Sequence, residues 1–359
     1  MNIDINSDTP KLNLLGLDKQ QIDDLLGELG EKPFRTVQLM KWIYHRSVLS
    51  FDQMTDISKK SRELLAKISF IELPVIKATQ ISSDGTIKWL LEFHDHQTIE
   101  MVYIPTEDRG TLCVSTQVGC SLGCKFCATA TLGLTRNLTA AEIVGQVFLA
   151  RQETIKVLER ENPITNIVLM GMGEPLLNFN NSIAATNIMM DDLGFNISKR
   201  RVTISTAGIV PAINKMKPLT DVSLAVSLHA ANNRTRDKIL PINKKYPLEQ
   251  LIPACKDYIK GSTHRTITWE YVMLNGINDS DEDAKQLVSL IKYVPSKINL
   301  IPFNTFIGCD YKCSSDSRIE RFANIILEAG ITVTMRKSRG DDIDAACGQL
   351  AGKSDKENI

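Results

Sequence analysis

Cys120, Cys124 and Cys127 sit in the run CSLGCKFC, a C-x3-C-x2-C spacing. Three thiolates on one tight loop can hold three irons of a [4Fe–4S] cube and leave the fourth open to a small-molecule ligand. Clusters held by protein alone use four cysteines instead. Gly119 and Gly123 let such a loop wrap closely, because glycine adopts backbone angles that other residues avoid. Phe126 stands beside the last cysteine as a shield. A zinc knuckle and buried core thiols are the alternatives. Structural zinc wants four ligands, usually as paired C-x2-C units, and no second pair follows at matching spacing.

Other polar residues close short apolar runs. Gly171-Met172-Gly173-Glu174-Pro175 joins glycines to a carboxylate that can accept hydrogen bonds from an ammonium. Ser205 closes RVTIS, Ser227-Leu228-His229 closes the run AVSLH, and Asn304 closes IPFN. Each alone reads as a cap or a satisfied structural group. Their shared placement is the stronger signal, and it depends on the elements beneath them.

Those elements are short β-branched runs separated by helical segments: Leu112–Thr116, Asn166–Met170, Arg201–Ser205, Val222–Leu228, Thr266–Val272, Ile298–Ile301 and Ile331–Met335. Apolar strands alternating with helices predict an α/β chain whose parallel sheet is covered on both faces. The number of repeats favours a full or partial β/α barrel. In such barrels the chemistry lies just beyond the carboxyl ends of the strands, which is where the motifs above fall. Upstream, Asp18–Leu29, Phe34–Tyr44 and Phe51–Ile68 carry helical periodicity. Thr86–Phe93, preceded by the Asp84-Gly85 turn signal, and Thr98–Ile104 read as an antiparallel meander. The expected organisation is a helical accessory domain over 1–75, a β-meander linker over 76–105, a barrel over 106–345 and a C-terminal segment over 346–359.

Two further cysteines sharpen the reading. Cys113 lies in GTLCVSTQVGC and Cys347 in RGDDIDAACGQL. With the C-x3-C-x2-C loop, GMGEPLLN, STAG, SLHA and IPFN, in this order, the chain resembles the RlmN branch of the radical S-adenosylmethionine (SAM) methyltransferases over about residues 98–350. The resemblance implies a radical SAM barrel with one [4Fe–4S] cluster on Cys120, Cys124 and Cys127. It implies SAM contacts at Gly173, Glu174, Ser205, Ser227, Leu228, His229 and Asn304. It further implies methylation of adenosine C2 in 23S rRNA at the peptidyl-transferase centre and in tRNA next to the anticodon, at position 37.

C2 of adenine is not nucleophilic, so the implied route is indirect and uses two SAM molecules per turnover. Cys347 takes a methyl group from the first. The second yields a 5′-deoxyadenosyl radical that removes a hydrogen from the S-methyl group, and the methylene radical adds to C2. After loss of an electron and the C2 proton, Cys113 attacks the Cys347 sulfur and the adduct fragments, releasing the product and leaving a disulfide, which is ordinary thiol exchange. A flavodoxin- or ferredoxin-type reductant supplies electrons. The resemblance also places a proton acceptor at Glu100. In an alternating strand Glu100 is equally a solvated side chain, and Cys113 itself is a second candidate acceptor. Cys255, Cys309 and Cys313 match no catalytic position and read as buried or loop thiols. The rival readings are a Cfr-like adenosine C8 methyltransferase, which uses the same constellation, and a non-catalytic zinc- or cluster-bearing RNA-binding module.

An RNA substrate needs phosphate contacts. The candidates are Lys199-Arg200-Arg201, Arg336, Lys337 and Arg339, Lys125 and Arg136, and Lys59-Lys60. The target base must leave its stack to enter a barrel.

Composition sets the outer bounds. The 359 residues carry 42 Lys+Arg against 42 Asp+Glu, which excludes RNA or membrane capture by bulk charge alone. Eight cysteines in this length are too sparse for a disulfide scaffold. No basic n-region with a following apolar run opens the sequence, and no stretch approaches a bilayer span. The expectation is a soluble cytoplasmic protein with reduced thiols, acting as a monomer and without a membrane partner.

Overall fold

The structure is a computed structural model that describes residues 11–158, 162–262, 265–336 and 339–352. Lys337, one of the candidate RNA contacts, and residues 353–359 lie outside them.

The main sheet holds ten strands: β1 Val75–Ile81, β2 Ile87–Glu92, β3 Thr98–Pro105, β4 Gly110–Cys113, β5 Asn166–Leu169, β6 Val202–Thr206, β7 Ser223–Ser227, β8 Ile267–Met273, β9 Ser296–Pro302 and β10 Thr332–Met335. Their spatial order follows the chain, from β1 at one edge to β10 at the other. β1 to β4 pair antiparallel. β4 to β10 pair parallel throughout. The two edge strands do not meet, so this is a partial barrel rather than a closed one. The seven runs read from the sequence are the seven parallel strands, each displaced by at most a few residues. The meander is not a separate layer: its strands continue the same sheet. Its first strand, β1, escaped the pattern because it is a half-exposed edge strand with Lys77, Thr79 and Gln80 among its residues.

Helices cover the parallel part: α4 Ala140–Leu158, α5 Phe179–Met190, α6 Val210–Met216, α7 Asn233–Ile239, α8 Leu248–Ile259, α9 Asp281–Ile291 and α10 Asp316–Glu328. Parallel strands joined this way need right-handed crossovers, and sequential order stacks the helices on one face. The start of α4 shows why the chain turns helical there. Thr139 Oγ1 accepts the Glu142 N–H at 3.2 Å, and Glu142 Oε2 accepts the Thr139 N–H at 2.8 Å, a reciprocal capping box.

The upstream helices are α1 Lys19–Glu28, α2 Phe34–Met40 and α3 Lys59–Ile68. Asp18 caps α1 in the same reciprocal way with Gln21. The stretch expected as one helix to Tyr44 widens to a π turn over Lys41–His45, with the Arg46 N–H reaching the Lys41 carbonyl at 3.0 Å. The stretch 51–68 divides, because Ser58 Oγ accepts the Ser61 N–H at 3.1 Å and starts α3 there. This region sits directly on the barrel. A Cβ on Gly16 would fall 2.7 Å from the Ala141 nitrogen. Tyr44 donates its hydroxyl to the Leu15 carbonyl at 3.0 Å and stacks edge-on against Phe195 at 5.3 Å. One hydrophobic core therefore runs from Leu14 through Ile143 and Leu169 to Phe322. Among the described residues no helix is long and apolar enough to cross a membrane.

Candidate active site

Because β4 to β10 run parallel, their carboxyl ends share one rim. Cys113 is the last residue of β4. The chain then forms Gln117–Gly119, which pairs antiparallel with Leu134–Asn137, and the cysteine loop is the excursion between them. Gly119 is held at φ +75, and a Cβ there would collide with the Gly133 carbonyl oxygen. The Cys120 N–H reaches that same oxygen at 2.8 Å. The loop is pinned again where the Lys125 N–H meets the Ile239 carbonyl at 3.0 Å.

Cys120, Cys124 and Cys127 all line one cavity, open at the rim. Burial pushes Cys120 up to about 11 and raises Cys124 well above the thiol range, with Cys127 and Cys120 adding like-charge repulsion at Cys124. Thiolates crowded into an apolar wall are stabilised by a cationic centre and disfavoured without one. Among the described residues no group of three or more His, Cys, Asp or Glu is arranged to hold a single metal ion. The three thiols line one wall of the same cavity.

Glu174 and Gly173 line the same cavity. Gly173 sits at φ +100, where a Cβ would collide with Gln117. Glu174 Oε1 accepts the Leu176 N–H at 3.0 Å and Oε2 accepts the Ala207 N–H at 2.7 Å. Burial raises its carboxyl to about 7, against the pull of these donors. Ser205, Ser227 and His229 complete that wall. His229 Nδ1 accepts the Val272 N–H at 3.0 Å, so the neutral ring carries its proton on Nε2. Burial lowers its pKa to about 3, which keeps it neutral. Phe126 packs edge-on against it at 4.5 Å. Beneath the wall, the fully buried Arg236 donates to the carbonyls of Ala207 (2.7 Å), Ser227 (3.0 Å) and Leu228 (2.9 Å), bracing two adjacent strand ends.

Two residues expected beside them are placed otherwise. The Leu228 side chain is fully buried and does not line the cavity, and its N–H and carbonyl are taken by Glu270 and Arg236. Asn304 lines a smaller adjoining cavity, and its Nδ2 donates to the Cys347 carbonyl at 3.3 Å.

Cys113 and Cys347 face the main cavity from different ends of the chain. Cys113 is buried, and desolvation pushes its thiol up to about 12, with the Cys347 charge adding to the rise. Cys347 is exposed as a residue, but its thiol turns inward; desolvation raises it and Arg336 opposes the rise. The segment carrying Cys347 is seated by several bonds. The Ala128 N–H meets the Gly348 carbonyl at 2.7 Å, and Thr129 Oγ1 meets the Leu350 carbonyl at 2.6 Å. Glu100 lies under this segment, with Lys88, Ala351 and Gly352 around its carboxylate, and does not line the cavity.

The cavity wall also contains Glu270 and Arg336. Arg336 was expected at RNA phosphates. Glu270, whose Oε2 accepts Asn299 Nδ2 at 2.9 Å, was missed, although it is the single charged residue in the strand ITWEYVM. Arg339 lines the smaller adjoining cavity, 3.7 Å from Asp84, and Lys125 is exposed on the cysteine loop; the other basic candidates lie elsewhere. Arg136 is held by Asp95 at 2.6 Å and Glu142 at 2.9 Å. Lys199, Arg200 and Arg201 precede β6 and therefore sit at the opposite rim, with Lys199 paired to Asp221 at 2.9 Å. Lys59 and Lys60 lie in the first turn of α3. Of the cysteines without a role, Cys255 is buried, the Cys309 thiol contacts the Lys125 carbonyl at 3.6 Å, and the Cys313 backbone forms an isolated antiparallel β-bridge with Leu274.

An open β/α barrel with a three-thiol loop after its first parallel strand defines a radical SAM protein, and residues 114–288 match the Radical SAM superfamily. Residues 12–71 match the "Ribosomal RNA large subunit methyltransferase N-terminal domain". The chain is 54% identical over 342 residues to the "Dual-specificity RNA methyltransferase RlmN" of Halorhodospira halophila, covering 95% of this chain and 94% of that protein. It is equally similar to the RlmN of Alkalilimnicola ehrlichii. A crystal structure of a radical SAM methyltransferase from Sphaerobacter thermophilus superposes with a TM-score of 0.87 at 40% identity, covering 95% of this chain and all of that one. The chain belongs to the RlmN family of dual-specificity RNA methyltransferases. Membership implies a [4Fe–4S] cluster, SAM and an RNA substrate.

Proposed function

We propose that this enzyme methylates C2 of adenosine in 23S rRNA and in tRNA at position 37, with Cys347 as the methyl carrier and Cys113 as the resolving thiol. The observation that carries the reading is the convergence of Cys113 and Cys347 on the cavity that also holds the three-cysteine loop. Cys120, Cys124 and Cys127 hold the cluster through three of its irons. The wall of Gly173, Glu174, Ser205, Ser227 and His229 binds SAM, used twice per turnover, with the Glu174 carboxylate and its neighbouring serine hydroxyls suited to the ammonium group. When bound, the cluster and SAM supply a 5′-deoxyadenosyl radical.

The chain's own residues do the rest. Cys347 accepts a methyl group on sulfur, gives up one of its hydrogen atoms to the 5′-deoxyadenosyl radical and delivers the remaining methylene to C2, which links the protein to RNA; the adduct then loses one electron to the cluster and the C2 proton. Cys113 loses its proton and attacks the Cys347 sulfur, so that the carbon–sulfur bond breaks with its electron pair on the carbon, which takes up a proton, and a disulfide forms. Arg336 favours the thiolate of both. A flavodoxin- or ferredoxin-type reductant supplies electrons, and reductant reopens the disulfide. We assign residues 1–75 to RNA binding, 76–105 to the linking meander, 106–345 to the barrel and 346–359 to the methyl-carrying segment, in a monomer that works in the cytoplasm.

Nucleoside mass spectrometry of rRNA and tRNA from cells with and without the gene tests this reading. The expected result is loss of 2-methyladenosine on deletion. Persistence of 2-methyladenosine, or loss of 8-methyladenosine in its place, refutes it. Anaerobic purification should yield brown protein with about four irons per chain, and a colourless zinc protein would refute the radical chemistry.

A further inference from the structure

One buried ion pair grips the Cys347 segment on both sides of the cysteine. Lys88 Nζ on β2 lies 3.1 Å from Glu100 Oε1 on β3, with 9% and 4% of the two side chains exposed. The other carboxylate oxygen, Oε2, accepts the N–H of Ala351 at 2.7 Å and of Gly352 at 3.0 Å. The same ammonium donates to the Asp344 carbonyl at 3.4 Å. Asp344 precedes Cys347 and Ala351 follows it, so a single pair of opposite charges holds the segment at both ends.

Such a pair is costly to bury. Taking two charges out of water is offset only when further hydrogen bonds satisfy their remaining donors and acceptors. Here the groups that satisfy the pair are backbone groups of the Cys347 segment: the Asp344 carbonyl and the Ala351 and Gly352 N–H groups. Strand alternation explains why Glu100 is there at all. Glu100, Val102 and Ile104 share a face of β3, and Val102 and Ile104 line the cavity while Glu100 is roofed by residues 351–352. Neither charged group is among the cavity-lining residues, so the pair acts through the segment it holds.

We propose that Lys88 and Glu100 are positioning residues for Cys347, fixing the segment so that its thiol faces the cavity. The proposal rests on the reading of Cys347 as methyl carrier. Removing one charge leaves the other buried and unpaired, which releases both ends of the segment together. Thr98 adds a weaker hold, its Oγ1 donating to the Gly352 carbonyl at 2.7 Å.

The test uses the full-length, cluster-loaded protein carrying Lys88→Met, Lys88→Arg or Thr98→Val. Two quantities are read: amide hydrogen exchange at Ala351 and Gly352, and the rate at which intact mass shows a methyl group on Cys347 after SAM addition under reducing conditions. For Lys88→Met, loss of a charge-assisted contact predicts exchange faster by about tenfold and methylation slower by a similar factor, with the iron–sulfur absorbance retained. Lys88→Arg keeps a cation and should restore both. Thr98→Val should shift both in the same direction by less, and it decides the matter if Lys88→Met fails to take up the cluster. Exchange or methylation at the wild-type rate in the decisive variant overturns the proposal. If wild-type Cys347 itself takes no methyl group, the carrier reading fails, while the exchange arm still decides whether the pair holds the segment.

Discussion

At the residue scale, the site works against the ordinary ionisation of its groups. Cys113, pushed up to about 12, is a thiol at neutral pH and cannot attack until its proton is taken. The Cys113→Ala variant should therefore complete the carbon–carbon step but not release it, and covalent protein–RNA adduct should accumulate on denaturing gels. Cys347→Ala should give no adduct, and the opposite pattern would remove the two-cysteine route. Glu174 gives a pH signature. Its carboxyl, raised to about 7, is neutral below that pH and charged above it. An ammonium ligand needs the charged form, so SAM affinity should fall about tenfold per unit as pH drops well below 7. Equilibrium dialysis with the cluster-loaded enzyme would show this, and Glu174→Gln should bind weakly with no such slope. Most of this wall was legible because polar residues closing apolar strands point at a barrel rim. The Leu228 side chain turns into the core because a motif names positions, not the direction of each side chain. Glu100 was visible as a residue, but its partners lie 251 and 252 positions away, beyond any local pattern.

Elements, rather than side chains, set the shape of the cysteine loop. Gly119 closes it with a left-handed backbone and a surface too tight for any Cβ. A Gly119→Ala change must break either the approach to Gly133 or the backbone angle, each worth about 1–3 kcal/mol. The expected outcome is folded protein with little bound iron, measured by iron content and circular dichroism together. Full iron loading would show that the hairpin does not shape the loop. The same scale explains what sequence periodicity could and could not supply. The seven parallel strands were evident because each is a dense apolar run. The division of 51–68 into a short turn and α3 depended on one capping serine, Ser58, whose Oγ outcompetes continued helix.

Across the whole molecule, the helical region before the sheet and the barrel share one core. Leu15 is fully buried at their junction. Leu15→Ala should cost about 2–5 kcal/mol and lower a single transition, in which loss of iron–sulfur absorbance and loss of helicity coincide. Two separated transitions would show that the accessory region unfolds independently. The balanced charge was legible from composition, but its distribution was not. Arg136 and Lys199 looked available to RNA in the sequence, and both are neutralised by carboxylates brought near only by folding. Lys125, exposed on the cysteine loop, remains at the mouth.

The seating of residues 344–352 on Lys88 and Glu100 has a consequence for the life of the chain. During synthesis the strands and the cysteine loop emerge first, and the segment that completes the wall emerges after them. Until it docks, the nascent barrel presents an unroofed carboxylate and lacks Cys347 at the cavity. A chain cut short between the barrel and Cys347 lacks the thiol that the proposed route requires. On that route, ribosomes and tRNAs are marked only by chains read through the docked segment.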